Sequence, residues 1–152
     1  MGEKIVAVSG GFDPIHIGHL RMMKEAAKHG KLTVIINSDT WLLRKKGYVF
    51  MPYSERAELI SELSCVDKVV MAMDGDRTVC ETLKEIRPDI FANGGDRISH
   101  TTPEARLCKE LGIELMYDVG GGKVRSSSKL VKEVTEKKRK KDLERFRNEI
   151  AL

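Results

Sequence analysis

The sequence predicts an α/β fold: a five-stranded parallel sheet, doubly wound with helices on both faces, and a charged C-terminal helix. Two observations predict it. Short apolar runs rich in β-branched residues alternate with segments of helical spacing, and the alternation continues from end to end. Runs of this kind are typical of strands buried on both faces of a sheet. A chain of 152 residues, of which 41% are hydrophobic and 33% charged, suits a single core.

Each element follows from a local pattern. The predicted strands lie at 5–8, 32–36, 69–71, 90–92 and 113–117, and the predicted helices at 19–29, 54–63, 79–86 and 103–111. Ser54 is a candidate N-cap, and Pro103 suits a first helical turn. Gly30 and Gly112 follow helices at positions that favour a left-handed C-cap residue. In such a sheet, ligands bind outside the carboxyl ends of the strands.

Two segments depart from the alternation. Residues 39–53 form a long basic connection between a strand and a helix, and loops of this length are often functional lids. Residues 126–152 carry a sparse apolar stripe among many charges, which predicts one long charged helix. The net charge of +4 is concentrated there. A basic run of this kind usually marks a solvated helix face, and specific nucleic-acid binding is therefore disfavoured.

The composition also limits location and cysteine chemistry. The apolar run at 5–8 is too short for a signal peptide or a membrane span, so a cytoplasmic protein without a membrane partner is expected. Cys65, Cys80 and Cys108 are odd in number and include no Cys-x-x-Cys pair. This pattern argues against a disulfide framework or a zinc site and favours buried thiols.

The most informative segment follows the first predicted strand. Gly10 and Gly11 allow backbone N–H groups to approach an anion, and Gly18 allows a ligand to lie against the first turn of a helix. His16 and His19 would reach toward one point at that helix N-terminus, where phosphate is favoured. Donors held there would stabilise the charge that develops on a phosphate under attack. A pair of metal ligands and two incidental histidines remain alternatives.

Residues 11–19, Gly-Phe-Asp-Pro-Ile-His-Ile-Gly-His, resemble the His-x-Gly-His signature of the cytidylyltransferase-like nucleotidyltransferases. The resemblance covers most of the chain and includes, in the family's order, 37–39, 46–47, 55–58, 66–70, 87–89, 93–97 and 125–128. It is closest to the sugar-phosphate adenylyltransferases that make ADP-heptose, and next to glycerol-3-phosphate cytidylyltransferase. It implies a Rossmann-like catalytic domain at 1–135, with 136–152 as a basic helical tail.

The resemblance implies a role for each matching residue. His16, His19 and Lys46 would be catalytic, the histidines by stabilising the transition state and the lysine by closing over the phosphates from a mobile loop. Lys46 would also bind the acceptor, together with Asp13 and Arg56, whose guanidinium suits a phosphate. The residues implied in nucleotide binding are Gly10, Gly11, Phe12, His16, Gly18, His19, Asp96, Arg125, Ser126, Ser127 and Ser128.

Several of these residues have ordinary structural alternatives. Lys46 could be a solvated lysine in a basic loop, and Arg56 could form an exposed ion pair with a neighbouring glutamate. Asp13, which precedes a proline, could serve only to shape the turn. Asp96 could cap a turn, and one of the three serines at 126–128 could act only as a helix N-cap.

The implied reaction is transfer of AMP or CMP from a nucleoside triphosphate to a phosphorylated small molecule, a sugar or polyol phosphate, with release of pyrophosphate. ATP is slightly favoured, because residues 120–126 depart from the Arg-Thr-Glu-Gly-Ile-Ser stretch of the glycerol-phosphate enzymes. Mg²⁺ would be bound through the nucleotide phosphates, with no metal site on the protein itself. Members of the family often pair as homodimers.

Three alternatives stay open. The chain could be a CTP-dependent enzyme of the glycerol-3-phosphate cytidylyltransferase type. It could be a nucleotide-binding regulator without turnover, although the retained histidines and Lys46 speak against this. It could also bind nucleic acid through the basic tail, in which case binding would depend steeply on salt.

Overall fold

A computed structural model gives the fold of the chain. It describes residues 2–75, 78–94, 102–121, 126–134 and 136–150, with the backbone alone at 136–140. The strands are β1 (Ile5–Gly10), β2 (Lys31–Ile36), β3 (Lys68–Met71), β4 (Ile90–Gly94) and β5 (Glu114–Val119). They form one sheet in the order β3-β2-β1-β4-β5, and every neighbouring pair is parallel. The predicted doubly wound, Rossmann-like sheet is confirmed.

Helices connect the strands and follow the last of them. They are α1 (Ile17–Ala26), α2 (Asp39–Lys46), α3 (Tyr53–Ser61), α4 (Cys80–Ile86), α5 (Pro103–Leu111), α6 (Ser127–Glu133) and α7 (Glu136–Ile150). A short 3-10 turn at Ala27–His29 extends α1. The predicted helices therefore exist, with ends that differ from the prediction by no more than three residues.

The helix ends follow some of the sequence signals and not others. Pro103 lies in the first turn of α5, and Gly112 ends that helix in the left-handed conformation with φ 72°, as predicted. Ser54 is not an N-cap, because α3 begins at Tyr53, whose N–H donates to the distant Asp39 carboxylate. Gly30 is extended, with φ 160°, so it is not a left-handed C-cap. A glycine is needed there because of a close contact. A Cβ there would lie 2.2 Å from a backbone oxygen of the neighbouring chain segment.

Two predictions about the irregular segments are wrong. The connection at 39–53 is mostly helical, because α2 occupies 39–46 with Ser38 as an N-cap that accepts from the Trp41 N–H and with Gly47 as a left-handed C-cap. The tail is two helices instead of one, since α6 ends at Val134, whose ψ of 36° leaves the helical range. Caps at both ends account for the formation of α2. The basic residues of this segment did not indicate a short helix in the sequence.

Apolar side chains fill both faces of the sheet. On one face α1 and α3 cover the strands, and the buried residues include Val6, Val8, Met23, Val34, Ile36, Ile60 and Ala92. On the other face α4 and α5 do so, with Ala7, Ile35, Leu83, Phe91, Leu107 and Cys108 among the buried residues. Each large apolar side chain buried in this way stabilises the fold by roughly 1.5 to 3 kcal/mol. The two layers fix the carboxyl ends of the strands as a rigid edge.

The three cysteines are free, and the last helix has an exposed apolar stripe. Cys65 and Cys80 are half-buried and Cys108 is buried, and none forms a disulfide. Burial raises the pKa of the Cys108 thiol to about 11, so this thiol is protonated at neutral pH. Leu143, Phe146 and Ile150 of α7 are all exposed. In the described part of the chain, no helix combines the length and the apolar character that crossing a membrane requires.

Candidate active site

The two histidines of the predicted motif cap the same helix. His16 is the N-cap of α1, with extended backbone, and its Nδ1 accepts from the N–H groups of Gly18 at 3.1 Å and His19 at 3.4 Å. The Nδ1 of His19 accepts in return from the N–H of His16 at 3.2 Å. The rings stack with centroids 3.6 Å apart and an interplanar angle of 18°. The spacing of three residues is therefore the spacing of a reciprocal cap.

This capping pattern determines which nitrogen of each ring is left to donate. Because each Nδ1 accepts a backbone N–H, the ring proton of a neutral imidazole lies on Nε2. Burial, with a smaller contribution from the neighbouring His16, lowers the pKa of His19 from 6.5 to about 3. His19 is thus neutral at pH 7. It can offer one Nε2–H donor but no positive charge.

Packing behind the rings holds them in place. The Phe12 ring meets the His19 ring edge to face, with centroids 4.9 Å apart, and Phe12 is 3% exposed. Its φ of 52° lies in the left-handed region, which for a bulky residue costs of the order of 1 to 3 kcal/mol. A Cβ at Gly10 would lie 2.9 Å from this ring, and one at Gly11 would lie 2.8 Å from Leu42. Both glycines are needed for close packing of the loop.

Lys46 comes to the same loop from the end of α2. Its Nζ lies 3.0 Å from the Asp13 carboxylate and donates to the Asp13 carbonyl oxygen at 2.5 Å. The Nζ also lies 4.6 Å above the Tyr48 ring. With a side chain 13% exposed, Lys46 is not the solvated lysine considered above. The structure therefore brings Lys46 to Asp13, which lies in the loop between β1 and α1. This loop, residues 11–16, is called the histidine loop below.

The Asp13 carboxylate is fully engaged within the protein. Besides Lys46, it accepts from the N–H groups of Phe50 at 2.7 Å and Met51 at 2.5 Å, and its side chain is 0% exposed. Asp13 therefore anchors the segment that links α2 to α3. The predicted contact between this side chain and an acceptor requires that anchor to open, and it stays a prediction.

Arg56 of α3 is also buried, with 1% exposure. Its Nε donates to Met51 O at 2.8 Å, its Nη1 donates to Gly11 O at 2.7 Å and Asn37 O at 2.8 Å, and its Nη2 donates to Asp39 at 2.6 Å. The guanidinium joins four chain segments at the carboxyl edge of the sheet. The alternative of an exposed ion pair with a glutamate is wrong. A contact between Arg56 and an acceptor phosphate stays a prediction, because most of its donors are in use.

Of the serines at 126–128, Ser127 contacts the loop that precedes α1. Ser126 caps α6 by accepting from the Lys129 N–H at 3.4 Å, as the N-cap alternative had it. The Ser127 hydroxyl donates to the Pro14 carbonyl oxygen at 2.8 Å, a contact across 113 residues. It places the start of α6 against the turn before α1. Asp96 and Arg125 lie outside the described residues.

Asp39 and Asn37 belong to this arrangement, although the sequence pattern assigned them no role. Asp39 accepts from both the Tyr53 N–H and the Arg56 guanidinium, which couples the start of α2 to the start of α3. The Asn37 carbonyl also accepts from Arg56, and the Asn37 side-chain oxygen is buried with no partner in the described part of the chain. The only signal in the sequence was their position directly after β2.

Comparison with known proteins gives the family. A family model described as cytidylyltransferase-like matches residues 7–146, which includes every described element of the site. The chain belongs to this family. This is the family that the His-x-Gly-His resemblance implied.

The relatives agree with this assignment. The bifunctional protein HldE of Syntrophotalea carbinolica is 33% identical over 141 residues, 90% of this chain and 28% of that protein. The HldE of Hydrogenovibrio crunogenus is 40% identical over 100 residues, 62% of this chain and 20% of that protein. The chain spans about a quarter of the length of the curated relatives it matches.

A solved structure covers most of the same fold. The lipopolysaccharide core biosynthesis protein of Thermoplasma volcanium is 30% identical to this chain, with a TM-score of 0.63. The match covers 77% of this chain and 95% of that protein. The cytidylyltransferase-like fold thus accounts for nearly the whole of that smaller relative.

Proposed function

We propose that the chain transfers AMP, or less readily CMP, from a nucleoside triphosphate to a sugar or polyol phosphate and releases pyrophosphate. The observation that carries this proposal is the reciprocal cap between His16 and His19, which fixes two stacked imidazoles whose Nδ1 atoms accept from the backbone, so that Nε2 of each ring is left to donate. The preference for ATP and for a sugar phosphate rests on the similarity to HldE and to a lipopolysaccharide core biosynthesis protein. A cytoplasmic location is part of the same proposal.

In this reaction an oxygen of the acceptor phosphate attacks the α-phosphorus of the triphosphate in line with the leaving group. The new P–O bond forms as the bond from the α-phosphorus to the bridging oxygen breaks, and that electron pair leaves with pyrophosphate. The attacking phosphate is already ionised at neutral pH, so no strong base is needed. Catalysis then depends on positioning and on donors that match the transition state.

His16 and His19 would supply those donors. Negative charge grows on the non-bridging oxygens of the α-phosphate during attack, and donors already oriented toward it stabilise that charge more than the ground state. The cap to α1 holds both rings before substrate arrives, so little reorganisation is required.

Lys46 would act after its ammonium group leaves the Asp13 carboxylate and binds a substrate phosphate. Its ammonium group is now held by the Asp13 carboxylate and carbonyl. A phosphate that enters beside the loop competes with Asp13 for this group, and the flexible side chain of a lysine can reach either. In this proposal the exchange draws the end of α2 over the bound phosphates.

A Mg²⁺ ion would be held mainly by the nucleotide. In the described residues, no three His, Cys, Asp or Glu side chains form a group that could hold a metal ion. The carboxylate nearest the loop, that of Asp13, is taken by Lys46 and two backbone N–H groups. A magnesium ion bound by the phosphates neutralises part of their charge.

The first test measures pyrophosphate release with Mg²⁺ and either ATP or CTP, against a panel of sugar phosphates, polyol phosphates and phosphopantetheine. We expect turnover with a sugar phosphate and ATP. Replacing one donor with His16→Ala or His19→Ala should lower kcat by roughly 10² to 10³, as for the loss of one oxyanion donor. The matched control is His29→Ala, which removes an exposed histidine just after α1.

The outcomes separate the alternatives. Turnover only with CTP and glycerol 3-phosphate would replace the proposed substrate pair by the cytidylyltransferase pair. Measurable nucleotide binding without turnover for any acceptor, and without an effect of His16→Ala, would favour the regulator. An unchanged kcat in both histidine variants of an active enzyme would exclude the proposed role of the cap.

A further inference from the structure

Aromatic residues are concentrated in the segment that runs from α2 to the start of α3. The whole chain has four phenylalanines, three tyrosines and one tryptophan. Four of these rings lie within residues 41–53: Trp41, Tyr48, Phe50 and Tyr53. Lys46 belongs to the same segment. Large rings with one face open to solvent are typical of surfaces that bind a ligand with an apolar face.

Phe50 differs from the other three rings in its surroundings. A cation lies 4.6 to 5.7 Å from the centroid of each of the others: Lys46 at Tyr48, Lys45 at Trp41 and Arg56 at Tyr53. Within the described residues, no cation lies over the Phe50 ring. The Phe50 residue is 58% exposed, whereas the other three are half-buried. Phe50 is therefore the aromatic face of this segment that a ligand can cover.

The backbone that carries the Phe50 ring is fixed by two buried side chains. The Asp13 carboxylate accepts from the N–H groups of Phe50 at 2.7 Å and Met51 at 2.5 Å. The carbonyl oxygen of Met51 accepts from Arg56 Nε at 2.8 Å. The side chains of Asp13 and Arg56 are both 0% exposed. Because its backbone is already ordered, an exposed ring at residue 50 loses little further freedom when a ligand covers it.

One carboxylate oxygen places Phe50 beside the ammonium group of Lys46. Asp13 Oδ2 lies 3.0 Å from the Lys46 Nζ and accepts from the Phe50 N–H at 2.7 Å. The two nitrogens are therefore neighbours at the histidine loop. In the proposed reaction the Lys46 ammonium leaves Asp13 and binds a substrate phosphate. A sugar esterified to that phosphate is separated from it by one bridging oxygen, so its ring lies within reach of the phenyl group.

The chemistry of a phenyl ring restricts what it can recognise. The ring has no hydrogen-bonding atom, and its face carries partial negative charge. The C–H groups on one face of a cyclic sugar form an apolar surface with partial positive charge, which packs well against such a ring. A short acyclic polyol phosphate, such as glycerol 3-phosphate, has no ring face to offer. An exposed phenylalanine beside the phosphate-binding lysine therefore separates the two classes of acceptor.

We propose that the acceptor's sugar ring stacks on Phe50, and that this contact makes the enzyme select cyclic sugar phosphates over acyclic polyol phosphates. This inference rests on the proposed function. Lys46 would hold the acceptor phosphate, and the Phe50 ring would fix the orientation of the sugar attached to it. Orienting the acceptor in this way holds its attacking oxygen toward the α-phosphorus. The nucleotide takes no part in the contact, so its binding does not depend on Phe50.

The decisive variant is Phe50→Ala, which removes the ring and keeps the backbone N–H that donates to Asp13. We expect the KM for a cyclic sugar phosphate to rise roughly tenfold, because the apolar area covered on the ring and on the sugar is lost. The inhibition constant of glycerol 3-phosphate, the kcat and the dissociation constant for the nucleotide should each stay within about twofold of the wild type. Phe50→Tyr, which keeps an aromatic face, should restore the KM.

The matched control is Phe146→Ala, which removes a phenylalanine of the same exposure, 58%, from α7 and should leave every constant unchanged. A purely structural role of Phe50 would weaken both acceptors alike, so equal losses for the sugar phosphate and for glycerol 3-phosphate would overturn the proposal. A rise in the nucleotide dissociation constant would assign the ring to the nucleotide and overturn it too. An unchanged KM in an active Phe50→Ala enzyme would overturn this inference and leave the proposed function intact.

A binding measurement keeps this inference separate from the proposed function. Saturation-transfer NMR with irradiation of the aromatic protons reports which ligand protons lie against an aromatic ring. With glucose 1-phosphate and mannose 1-phosphate, we expect transfer to the sugar C–H protons in the wild type and in Phe146→Ala, and its loss in Phe50→Ala. This result would support the stacking contact even without detectable turnover. Absence of transfer to both sugars in the wild type would overturn it.

Discussion

At the scale of single residues, hydrogen bonds to backbone groups decide what the polar side chains of the site can do. The Nδ1 atoms of His16 and His19 accept from the backbone, which leaves their protons on Nε2. The Asp13 carboxylate accepts two backbone N–H groups and Lys46. The direction in which each of these side chains can still donate or accept therefore follows from its partners.

The lowered pKa of His19 makes the stability of the fold depend on pH. The unfolded chain binds a proton at this residue near pH 6.5, but the folded chain does so only near pH 3. As the pH falls from about 6.5 toward 3, the unfolded state therefore gains protons first. The free energy of unfolding should decrease by up to about 1.4 kcal/mol per pH unit from this group. Urea unfolding at pH 7, 6, 5 and 4 measures it.

The comparison variant is His19→Asn, whose side-chain oxygen can still accept from the His16 N–H. Acidic groups contribute equally to both proteins, so the difference between the two curves isolates His19. We expect the variant to lose less stability between pH 6.5 and 4. Parallel curves would show that His19 takes up its proton equally in both states.

Arg56 should matter more for stability than an exposed arginine. Arg56→Met would leave the carbonyl oxygens of Gly11, Asn37 and Met51 without their donor in a buried place. We expect a loss of about 3 kcal/mol in the free energy of unfolding, as for breaking a buried charged network. Denaturant unfolding measures this, and the exposed Arg106→Met is the control, with an expected change within about 0.5 kcal/mol.

At the scale of elements, the position of α1 is determined by close approach to the sheet. Met22 lies against Gly94 and Gly120, where no Cβ fits. The contact sets the height of α1 above the strand ends, and with it the location of the His16 cap. The segment from α2 to α3 is set differently, by the polar anchors Asp13 and Arg56.

Gly120→Ala tests the close approach of α1. The substitution would place a Cβ 2.7 Å from the Met22 backbone at a residue with φ 88°. Gly112→Ala introduces the same kind of backbone strain, with φ 72°, in open space. We expect Gly112→Ala to cost about 1 kcal/mol and Gly120→Ala at least about 2 kcal/mol. Thermal and urea unfolding of the two variants measure these losses of stability. Equal losses would mean that α1 moves away from the added methyl group without a further loss of stability.

At the scale of the whole molecule, two apolar layers account for the fold and leave α7 apart from it. Helices α1 and α3 cover one face of the sheet, and α4 and α5 cover the other. The described side chains of α7, at 141–150, are all exposed. The division into a catalytic domain at 1–135 and a tail at 136–152 is still a prediction.

Truncation after residue 135 tests that division. Because no described side chain of α7 is buried, we expect the melting temperature to change by no more than a few degrees and turnover to persist. Circular dichroism should show the loss of one helix only. A loss of cooperative unfolding in the truncated chain would place the tail within the folded domain. A matched variant that retains 136–152 but carries Leu143→Ser and Phe146→Ser separates the apolar stripe from the helix itself.

The sequence by itself determined the five strands, their parallel arrangement, the family motif and the helices with regular spacing. The strands and helices depend on continuous apolar runs, on the helical period of 3.6 residues and on local caps such as Pro103 and Gly112, all of which are set by neighbours in the chain. The tertiary structure alone decided the partners of Asp13 and Asp39, and every partner of Arg56 except Met51; the separations range from 14 to 45 residues. It also decided that α3 begins at Tyr53, since its first N–H is bound by Asp39. No local pattern encodes a partner that only the folding of the sheet brings within reach.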